Sequence, residues 1–205
     1  MVAIIDYGVG NLTSILNMHR KLGIDAMVTG DAGRIQEADR LLIPGVGHFD
    51  SCMQNFNNSG LRSLVEKRAL AEKIPVLGIC VGAQMMTRGS EEGKEKGLAW
   101  VNADTIKFRL DGSSRLKVPH MGWTDLQPKT SSELWVEMPE EPRFYFAHSY
   151  HFNFDSIEYV TGTADYGYDF VCAFRKENIY GVQFHPEKSH RYGMKLIANF
   201  AALSS

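Results

Sequence analysis

Short apolar runs alternate with helix-spaced apolar positions along the first half of the chain. Four runs are typical of buried strands, over residues 2–6, 26–29, 41–44 and 75–79. Helical spacing of apolar residues indicates helices over residues 11–22 and 61–70, which lie between these runs. Strands separated by helices favour βαβ units, so this half predicts a mostly parallel sheet.

The second half changes character, because its apolar segments are rich in aromatic and β-branched residues. Strands are predicted over residues 100–108, 143–152 and 170–184, and the last is predicted to be a hairpin that turns at residues 176–178. A closing helix is predicted over residues 192–203, with an apolar face made of Met194, Ile197, Ala198 and Ala201. No repeat or linker interrupts the sequence. We therefore predict one α/β domain over residues 1–205, with an open, mostly parallel sheet flanked by helices and an additional antiparallel, β-rich portion.

Charge and composition narrow the functional classes. The 205-residue chain has a formal net charge of -2, and its 22 Lys and Arg residues form no basic block, which argues against a nucleic-acid partner. No apolar stretch approaches the roughly 18 residues needed to cross a bilayer, and Asp6 interrupts the first apolar run, so neither a membrane span nor a signal peptide is expected. Three cysteines in a chain of this length make no disulfide framework, and we expect a cytoplasmic location where thiols stay reduced.

Glycine-bearing loops follow three of the predicted strands. They contain Gly8 and Gly10, Gly45 and Gly47, and Gly78 and Gly82. In open α/β sheets, ligands bind outside the carboxyl ends of the strands, so we expect these loops to share one rim. Gly8-Val9-Gly10 also begins like a dinucleotide fingerprint, but Thr13 replaces its third glycine and no later acidic partner is evident. No cofactor is expected.

Cys80 stands between Gly78 and Gly82, where a predicted strand turns into helix-like residues. This spacing is that of the G-x-S-x-G nucleophile elbow, with sulfur in place of oxygen. The N–H groups at the start of a following helix favour the thiolate, which is the nucleophilic form, and the Val81 N–H is a candidate oxyanion donor. The alternative, from the turn alone, is that Cys80 is a small buried apolar residue, which is our interpretation of Cys52 and Cys172.

A cysteine nucleophile needs a base, usually a histidine distant in the sequence. Of the seven histidines, His185 ends an apolar segment and opens the sequence His185-Pro186-Glu187. Residues two apart in an extended segment point to the same side, so Glu187 is placed to orient the imidazole and stabilise its charged form. A Cys80-His185-Glu187 triad is therefore the leading hypothesis. The sequence has no H-E-x-x-H or paired C-x-x-C motif, and no metal site is predicted.

The two motifs that hold these residues, GICVGAQ and YGVQFHPEKS, resemble those of the class I (triad) glutamine amidotransferases. Four further stretches, IIDYGVGNLTS, LLIPGVGHFD, KVPHMGWTDL and YFAHSYHF, are similar to the glutaminase subunit of imidazole glycerol phosphate synthase, a histidine-biosynthesis enzyme. The resemblance implies the flavodoxin-like class I amidotransferase fold. It also implies that Cys80 attacks the side-chain amide of L-glutamine, that His185 moves protons and that Glu187 supports His185. A γ-glutamyl thioester would form, ammonia would leave and water would release glutamate.

The resemblance further implies which residues contact the substrate. Positions that match the family's glutamine-binding residues are Gln84, Glu92, Ser149 and Tyr150, and the loop Gly45-Val46-Gly47 matches part of the oxyanion hole. Our hypothesis is that the Val46 N–H points away from the site at rest and turns inward when the partner and its substrate bind, because glycine reaches positive φ at little cost. Loss of one oxyanion donor lowers rates on the order of a hundredfold, so feeble glutaminase activity is expected of the chain alone.

A partner is implied by the same resemblance, a (βα)8-barrel cyclase that forms a heterodimer with this chain and receives ammonia along its axis. Ammonia in neutral water is mostly ammonium, which has no lone pair for attack, so efficient transfer requires a water-poor passage. Interface positions matched by the motifs are Tyr7, Asn11, Met121, Trp123 and Lys188. Core packing is an equally simple explanation of Trp123.

The sequence departs from the family pattern in several places. Cys-Val-Gly-Ala-Gln at residues 80–84 replaces the common Cys-Leu-Gly-Met-Gln, and Thr124 stands where Met-Gly-Trp is usually followed by Asn. The stretch HPEKSHRYGMKLIANF resembles paralogues that serve surface-sugar (lipopolysaccharide or nonulosonic acid) pathways. Two alternatives therefore stand beside the histidine-pathway glutaminase. One is a paralogue that supplies ammonia to a surface-sugar-modifying partner, and the other is a non-catalytic regulatory subunit on the same fold.

Overall fold

Strands and helices alternate through the first half of the chain in the computed structural model, which describes residues 1–111, 115–129 and 132–204. The elements are β1 (Val2–Ile5), α1 (Leu12–Lys21), β2 (Ala26–Thr29), α2 (Ala32–Glu37), β3 (Arg40–Gly45), α3 (Phe49–Asn58), α4 (Arg62–Glu66), β4 (Val76–Cys80) and α5 (Val81–Gln84). The predicted strands of this half are confirmed to within one or two residues at their ends.

Antiparallel strands dominate the second half. They are β5 (Ala103–Lys107), β6 (His120–Pro128), β7 (Arg143–His148), β8 (Tyr150–Phe154), β9 (Val160–Asp165), β10 (Asp169–Lys176) and β11 (Ile179–Val182), followed by helix α6 (His190–Ala201). The predicted hairpin is confirmed, since β10 pairs antiparallel with β11 from Lys176↔Ile179 onward. The predicted strand over residues 143–152 is two strands, β7 and β8, which separate at Ser149.

The described strands form one 11-stranded sheet whose main order is β2-β1-β3-β4-β11-β10-β9-β6-β7. The strands from β2 to β11 run parallel, and those from β11 to β7 run antiparallel. Strand β8 pairs with β10 and with β5 beside this path. The predicted fold class is confirmed, with the sheet best described as mixed. Strands β1, β4 and β11 are buried at every position, as expected of parallel strands covered on both faces.

Helices cover both faces of the parallel half. The crossovers β1–α1–β2 and β2–α2–β3 run in opposite directions along the sheet, so right-handed connections place α1 and α2 on opposite faces. Helix α1 packs beside α6, and α2 packs beside α4. Among the described residues, no helix is both long and apolar enough to cross a membrane.

Two predicted helices differ in detail from the structure. In α6 the buried side chains are Tyr192, Leu196, Ile197 and Phe200, whereas Met194, Ala198 and Ala201 are half-buried. Leu70 ends the helix predicted over residues 61–70 from its apolar spacing, yet it is 41% exposed. The reason is that α4 continues as a π-helical turn over Lys67–Ala71, whose wider winding rotates the later residues about the helix axis.

Candidate active site

Strand order brings Cys80 and His185 together. Strand β4 lies between β3 and β11 and runs parallel to both, with Ile79 paired to Val182 in β11. Cys80 is the last residue of β4, and His185 follows the end of β11 by three residues. Both side chains therefore stand at the carboxyl edge of the sheet, where ligands bind in open α/β folds.

Cys80 has a backbone conformation that side-chain-bearing residues rarely adopt, with φ 54° and ψ -116°. Its glycine neighbours permit this turn to pack against the sheet. A Cβ on Gly82 would overlap the Ile43 carbonyl oxygen, and one on Gly78 would lie 2.6 Å from the Ala83 Cα. The predicted elbow geometry is present. The helix after it, α5, has only 4 residues, so it supplies one turn of N–H groups rather than the dipole of a long helix.

His185 is buried between Cys80 and Glu187. Its Nδ1 lies 2.8 Å from Glu187 Oε1, which leaves Nε2 as the ring nitrogen available to Cys80. Burial disfavours the charged ring, but the hydrogen bonds to Cys80 and Glu187 and the charges on both outweigh it and raise the pKa of His185 to about 10. The Cys80 side chain therefore lies beside a ring that is positively charged at neutral pH.

A cleft of about 320 Å³ opens in front of Cys80. Ten of the residues predicted for the site line it: Val46, Gly47, Cys80, Val81, Gln84, Glu92, Ser149, Tyr150, His185 and Lys188. Pro119, Ala147 and His148 also line it and were not among the predicted site residues. Gly45 and Glu187 do not line the cleft. Gly45 pairs with Cys80 in the β3–β4 register, and Glu187 lies behind the His185 ring.

Two glutamines form a buried hydrogen-bonded pair beside the sulfur. The Gln84 Nε2 donates to Gln183 Oε1 at 3.0 Å and to the Tyr150 carbonyl at 3.4 Å. The Gln183 Nε2 in turn points at Cys80 Sγ, 3.7 Å away. Sequence reasoning missed Gln183, although a polar residue two positions before His185 in an extended apolar segment faces the same side.

The loop predicted to supply oxyanion donors is held by helix α3. Cys52, on α3, is buried and its Sγ donates to the Val46 carbonyl at 3.4 Å. Burial raises the pKa of Cys52 to about 11, so it is a thiol that can donate at neutral pH. Glu92 is held against the start of the same helix, because its Oε2 accepts the Phe49 N–H at 2.8 Å.

Met121 and Trp123 are exposed apolar residues on β6, a few positions after the cleft-lining Pro119. Met121 is 64% and Trp123 39% exposed, and the Trp123 ring stacks on His190 with centroids 5.4 Å apart. Trp123 is therefore a surface residue, and core packing does not explain it. The exposed Lys188 lies with its Nζ 5.5 Å from the centre of the Tyr145 ring.

The other two predicted interface positions are less accessible. Tyr7 is only 5% exposed, and its hydroxyl donates to the Pro44 carbonyl, so its side chain supports the rim from beneath. Asn11 is half-buried at the N-cap of α1, without a side-chain capping bond among the described residues.

A larger hollow, of about 520 Å³, lies at the opposite, amino end of β4 and β11. Its charged side chains pair with one another, Lys73 with Glu177 at 2.6 Å and Arg175 with Glu133 at 2.7 Å. None of the predicted site residues lines it. Within residues 1–111, 115–129 and 132–204, no three His, Cys, Asp or Glu side chains are grouped to hold a metal ion.

Solved structures of other proteins share this fold. PurLQS from Thermotoga maritima superposes with a TM-score of 0.71 at 15% identity, over 97% of this chain and 96% of the other. The glutaminase domain of CTPS from Trypanosoma brucei superposes with a TM-score of 0.64 at 16% identity, over 100% of this chain and 94% of the other. Likeness at such low identity reflects the fold alone.

Sequence comparisons identify the family. Residues 3–203 match the family Glutamine amidotransferase class-I. The chain is 48% identical over 200 residues to the imidazole glycerol phosphate synthase subunit HisH 2 of Methanococcus maripaludis, spanning 98% of both chains. It is 43% identical over 204 residues to the HisH subunit of Bdellovibrio bacteriovorus, spanning 99% of this chain and 100% of the relative. The chain belongs to the class I glutamine amidotransferase family, among the HisH subunits of imidazole glycerol phosphate synthase.

Proposed function

We propose that this chain hydrolyses L-glutamine to glutamate and ammonia with Cys80 as nucleophile, and passes the ammonia to a cyclase in histidine biosynthesis. The observation that carries the proposal is the buried Cys80–His185–Glu187 arrangement at the floor of a glutamine-sized cleft. The names of the curated relatives support the pathway. The proposed unit is the whole chain, residues 1–205, acting as one domain.

The first half of the reaction makes the thioester. The Cys80 thiolate attacks the side-chain carbonyl carbon of glutamine, so a C–S bond forms and the carbonyl electron pair moves onto oxygen. The Val81 and Val46 N–H groups stabilise that oxyanion. His185 then gives its Nε2 proton to the amide nitrogen, the C–N bond breaks and ammonia leaves.

Hydrolysis completes the cycle. A water molecule attacks the thioester carbonyl while His185, now neutral, takes one of its protons. The C–S bond breaks, the thiolate returns and glutamate leaves. Glu187 holds the ring in one orientation through both halves and stabilises its charged form, because its Oε1 stays on Nδ1.

The cleft walls supply the binding contacts. Gln84, Glu92, Ser149 and Tyr150 surround the space in front of the sulfur and carry the polar groups that a glutamine amino acid head would meet. Gly45 and Gly47 flank Val46, and Gly47 has φ 91°, so the loop tolerates the peptide rotation that would present the Val46 N–H.

The ammonia acceptor is a (βα)8-barrel cyclase in this proposal, and the joint products are imidazole glycerol phosphate and AICAR. The exposed side chains of Met121, Trp123 and Lys188, with Asn11 nearby on the same rim, form the proposed docking surface. The buried side chain of Tyr7 supports this surface from beneath. A cytoplasmic location belongs to the proposal and is supported by three free cysteines.

Glutamate release from L-glutamine tests the proposal directly. We expect feeble release by the chain alone and stimulation on the order of a hundredfold or more when the imidazole-pathway cyclase and its ribonucleotide substrate are added. The Cys80→Ser variant should release no glutamate under either condition.

Two results would redirect the assignment. Activity that responds to a surface-sugar-modifying partner, and not to the cyclase, would favour the paralogue that the Thr124 substitution and the C-terminal stretch suggest. Failure of a glutamine-analogue electrophile to label Cys80, even with a partner bound, would favour a non-catalytic regulatory subunit.

A further inference from the structure

A series of three hydrogen bonds, one buried and two partly buried, runs from strand β6 to the wall of the cleft. The Thr124 hydroxyl lies 2.8 Å from His120 Nε2, and His120 Nδ1 lies 3.2 Å from His148 Nε2. His148 Nδ1 lies 2.7 Å from the Tyr150 carbonyl oxygen. His120 and His148 are 2% and 6% exposed and face each other in the β6–β7 register. None of these contacts belongs to the catalytic residues proposed above.

Only one arrangement of protons satisfies all three hydrogen bonds. A carbonyl oxygen can only accept, so His148 must carry its proton on Nδ1. Its Nε2 then accepts, which requires the proton of His120 to be on Nδ1 as well. The Nε2 of His120 is left as an acceptor, so the Thr124 hydroxyl donates to it. The direction of all three bonds is fixed by the Tyr150 carbonyl.

Both rings are neutral, which this arrangement requires. Burial lowers the pKa of His120 to about 4. Burial also lowers the pKa of His148 to about 3, more than the hydrogen bond to Tyr150 raises it. At neutral pH each ring therefore has one donor nitrogen and one acceptor nitrogen.

Packing holds the rings in place. His120 lies between Tyr166 and Phe146, with ring centroids 3.9 Å and 4.9 Å away and interplanar angles of 21° and 18°. Side chains four residues apart on a regular strand are separated by about 13 Å along it, so β6 must bend for Thr124 to reach His120. Gly122, with φ 140°, lies between them.

We propose that Thr124, His120 and His148 are positioning residues that hold the Tyr150 peptide and thereby set the affinity of the cleft for glutamine. The inference rests on the proposed glutaminase function. The Tyr150 carbonyl oxygen also accepts from Gln84 Nε2. The series of hydrogen bonds that starts at Thr124 therefore ends on the same oxygen atom that the cleft-lining Gln84 contacts.

Steady-state glutaminase kinetics in the presence of the stimulating partner test the inference. Thr124→Val keeps the side-chain shape and removes the hydroxyl, leaving His120 Nε2 without a donor. We expect KM for glutamine to rise about threefold to tenfold while kcat changes less than twofold. Thr124→Ser and Thr124→Asn should restore KM, because each retains a donor. Thr124→Ala serves as the second variant if the valine does not fold.

Thr161→Val is the matched control. Thr161 is 3% exposed, and its hydroxyl has no hydrogen-bond partner among the described residues, so the same chemical change should leave KM at the wild-type value. Equal KM values in wild type and Thr124→Val would overturn the inference, as would an equal rise in Thr161→Val. A wild-type chain that hydrolyses no glutamine with its partner would instead overturn the proposed function.

A spectroscopic readout is independent of activity. In the ¹⁵N NMR spectrum of histidine-labelled protein, assigned with His120→Gln and His148→Gln, both rings should be Nδ1–H tautomers at pH 7. Thr124→Val should shift only the Nε2 resonance of His120 toward that of an unbonded nitrogen. An Nε2–H tautomer in either ring would overturn the inference, because that ring could not make the hydrogen bonds in the direction that the Tyr150 carbonyl requires.

Discussion

The Nδ1 atom of His185 lies 2.8 Å from Oε1 of Glu187, and the two side chains are 4% and 1% exposed. The carboxylate therefore fixes one ring nitrogen and leaves the other for Cys80. Glu187 Oε2 is buried and has no hydrogen-bond partner in the part of the chain that the structure describes, so the orientation of this carboxylate depends on its contact with the ring. A substitution of either residue would therefore leave the other buried without its partner, which is costly.

Glu187→Gln should lower kcat of the stimulated glutaminase about tenfold to a hundredfold and leave KM nearly unchanged. It removes the charge that stabilises the imidazolium, and a hydrogen bond to a charged group contributes about 1.5–3 kcal/mol. The measurement is steady-state glutamate release with the partner present. Glu177→Gln, in an exposed ion pair with Lys73, is the control and should match wild type. An unchanged kcat in Glu187→Gln would contradict the role of this carboxylate.

The His185 ring should stay protonated well above neutral pH, with its pKa near 10. Because this value lies above that of an unfolded histidine, near 6.5, protonation stabilises the fold fully below about pH 6.5, and the contribution is lost as pH rises toward 10. In Cys80→Ala the midpoint should fall, because one of the two groups that raise it is gone. An NMR titration of the ring measures both midpoints, and identical values would refute the Cys80–His185 contact.

Gln183→Leu should lower kcat/KM about tenfold and slow the alkylation of Cys80 by iodoacetamide at pH 7. It removes the N–H that points at the sulfur and the oxygen that accepts from Gln84. Gln183→Glu separates these effects, because it keeps the acceptor for Gln84 and loses the donor. The alkylation rate should fall in both variants. Wild-type alkylation in Gln183→Leu would show that the amide has no influence on the sulfur.

Cys52→Ala should raise the unstimulated glutaminase rate about twofold to fivefold and leave the stimulated rate near that of wild type. The Cys52 thiol holds the Val46 carbonyl, so its loss weakens the resting arrangement of the loop by about one hydrogen bond. Cys52→Ser retains a donor and should behave like wild type. The ratio of stimulated to unstimulated rates is the quantity to compare. If Ala and Ser give the same ratio, the thiol does not restrain the loop.

Gly82→Ala should lower the free energy of unfolding by about 3 kcal/mol or more, because the new Cβ would overlap the Ile43 carbonyl oxygen and the backbone would have to shift. Gly60→Ala is the control. Gly60 has φ 76° but no atom within 4 Å of a built Cβ, so the cost should be about 1 kcal/mol from backbone strain alone. Denaturant unfolding measures both, and equal losses would contradict the close packing of the turn.

The loops at the carboxyl edge of the sheet were predictable because short stretches of sequence specify their positions. Each of β1, β3 and β4 is an apolar run that ends in glycine-bearing turns, and the carboxyl ends of parallel strands meet at one edge. The His185–Glu187 contact was predictable for a similar reason, since both residues lie in one short extended segment. These inferences need only spacing along the chain.

The antiparallel half was less predictable, because its contacts depend on register between distant strands. The pairing of His120 with His148 follows from the β6–β7 register, which no local pattern specifies. The stacking of Trp123 on His190 joins a strand to a helix that begins far along the chain. The burial of Gln183 beside the sulfur required knowing that β11 inserts next to β4.

The insertion of β11 beside β4 also orders events during synthesis. Cys80 leaves the ribosome more than a hundred residues before His185, so the nascent thiol has no imidazole to activate it. Only when residues 179–187 have been made and β11 has entered the sheet does the His185 ring reach the sulfur. A newly made chain therefore carries Cys80 without its imidazole neighbour until folding has enclosed the sulfur.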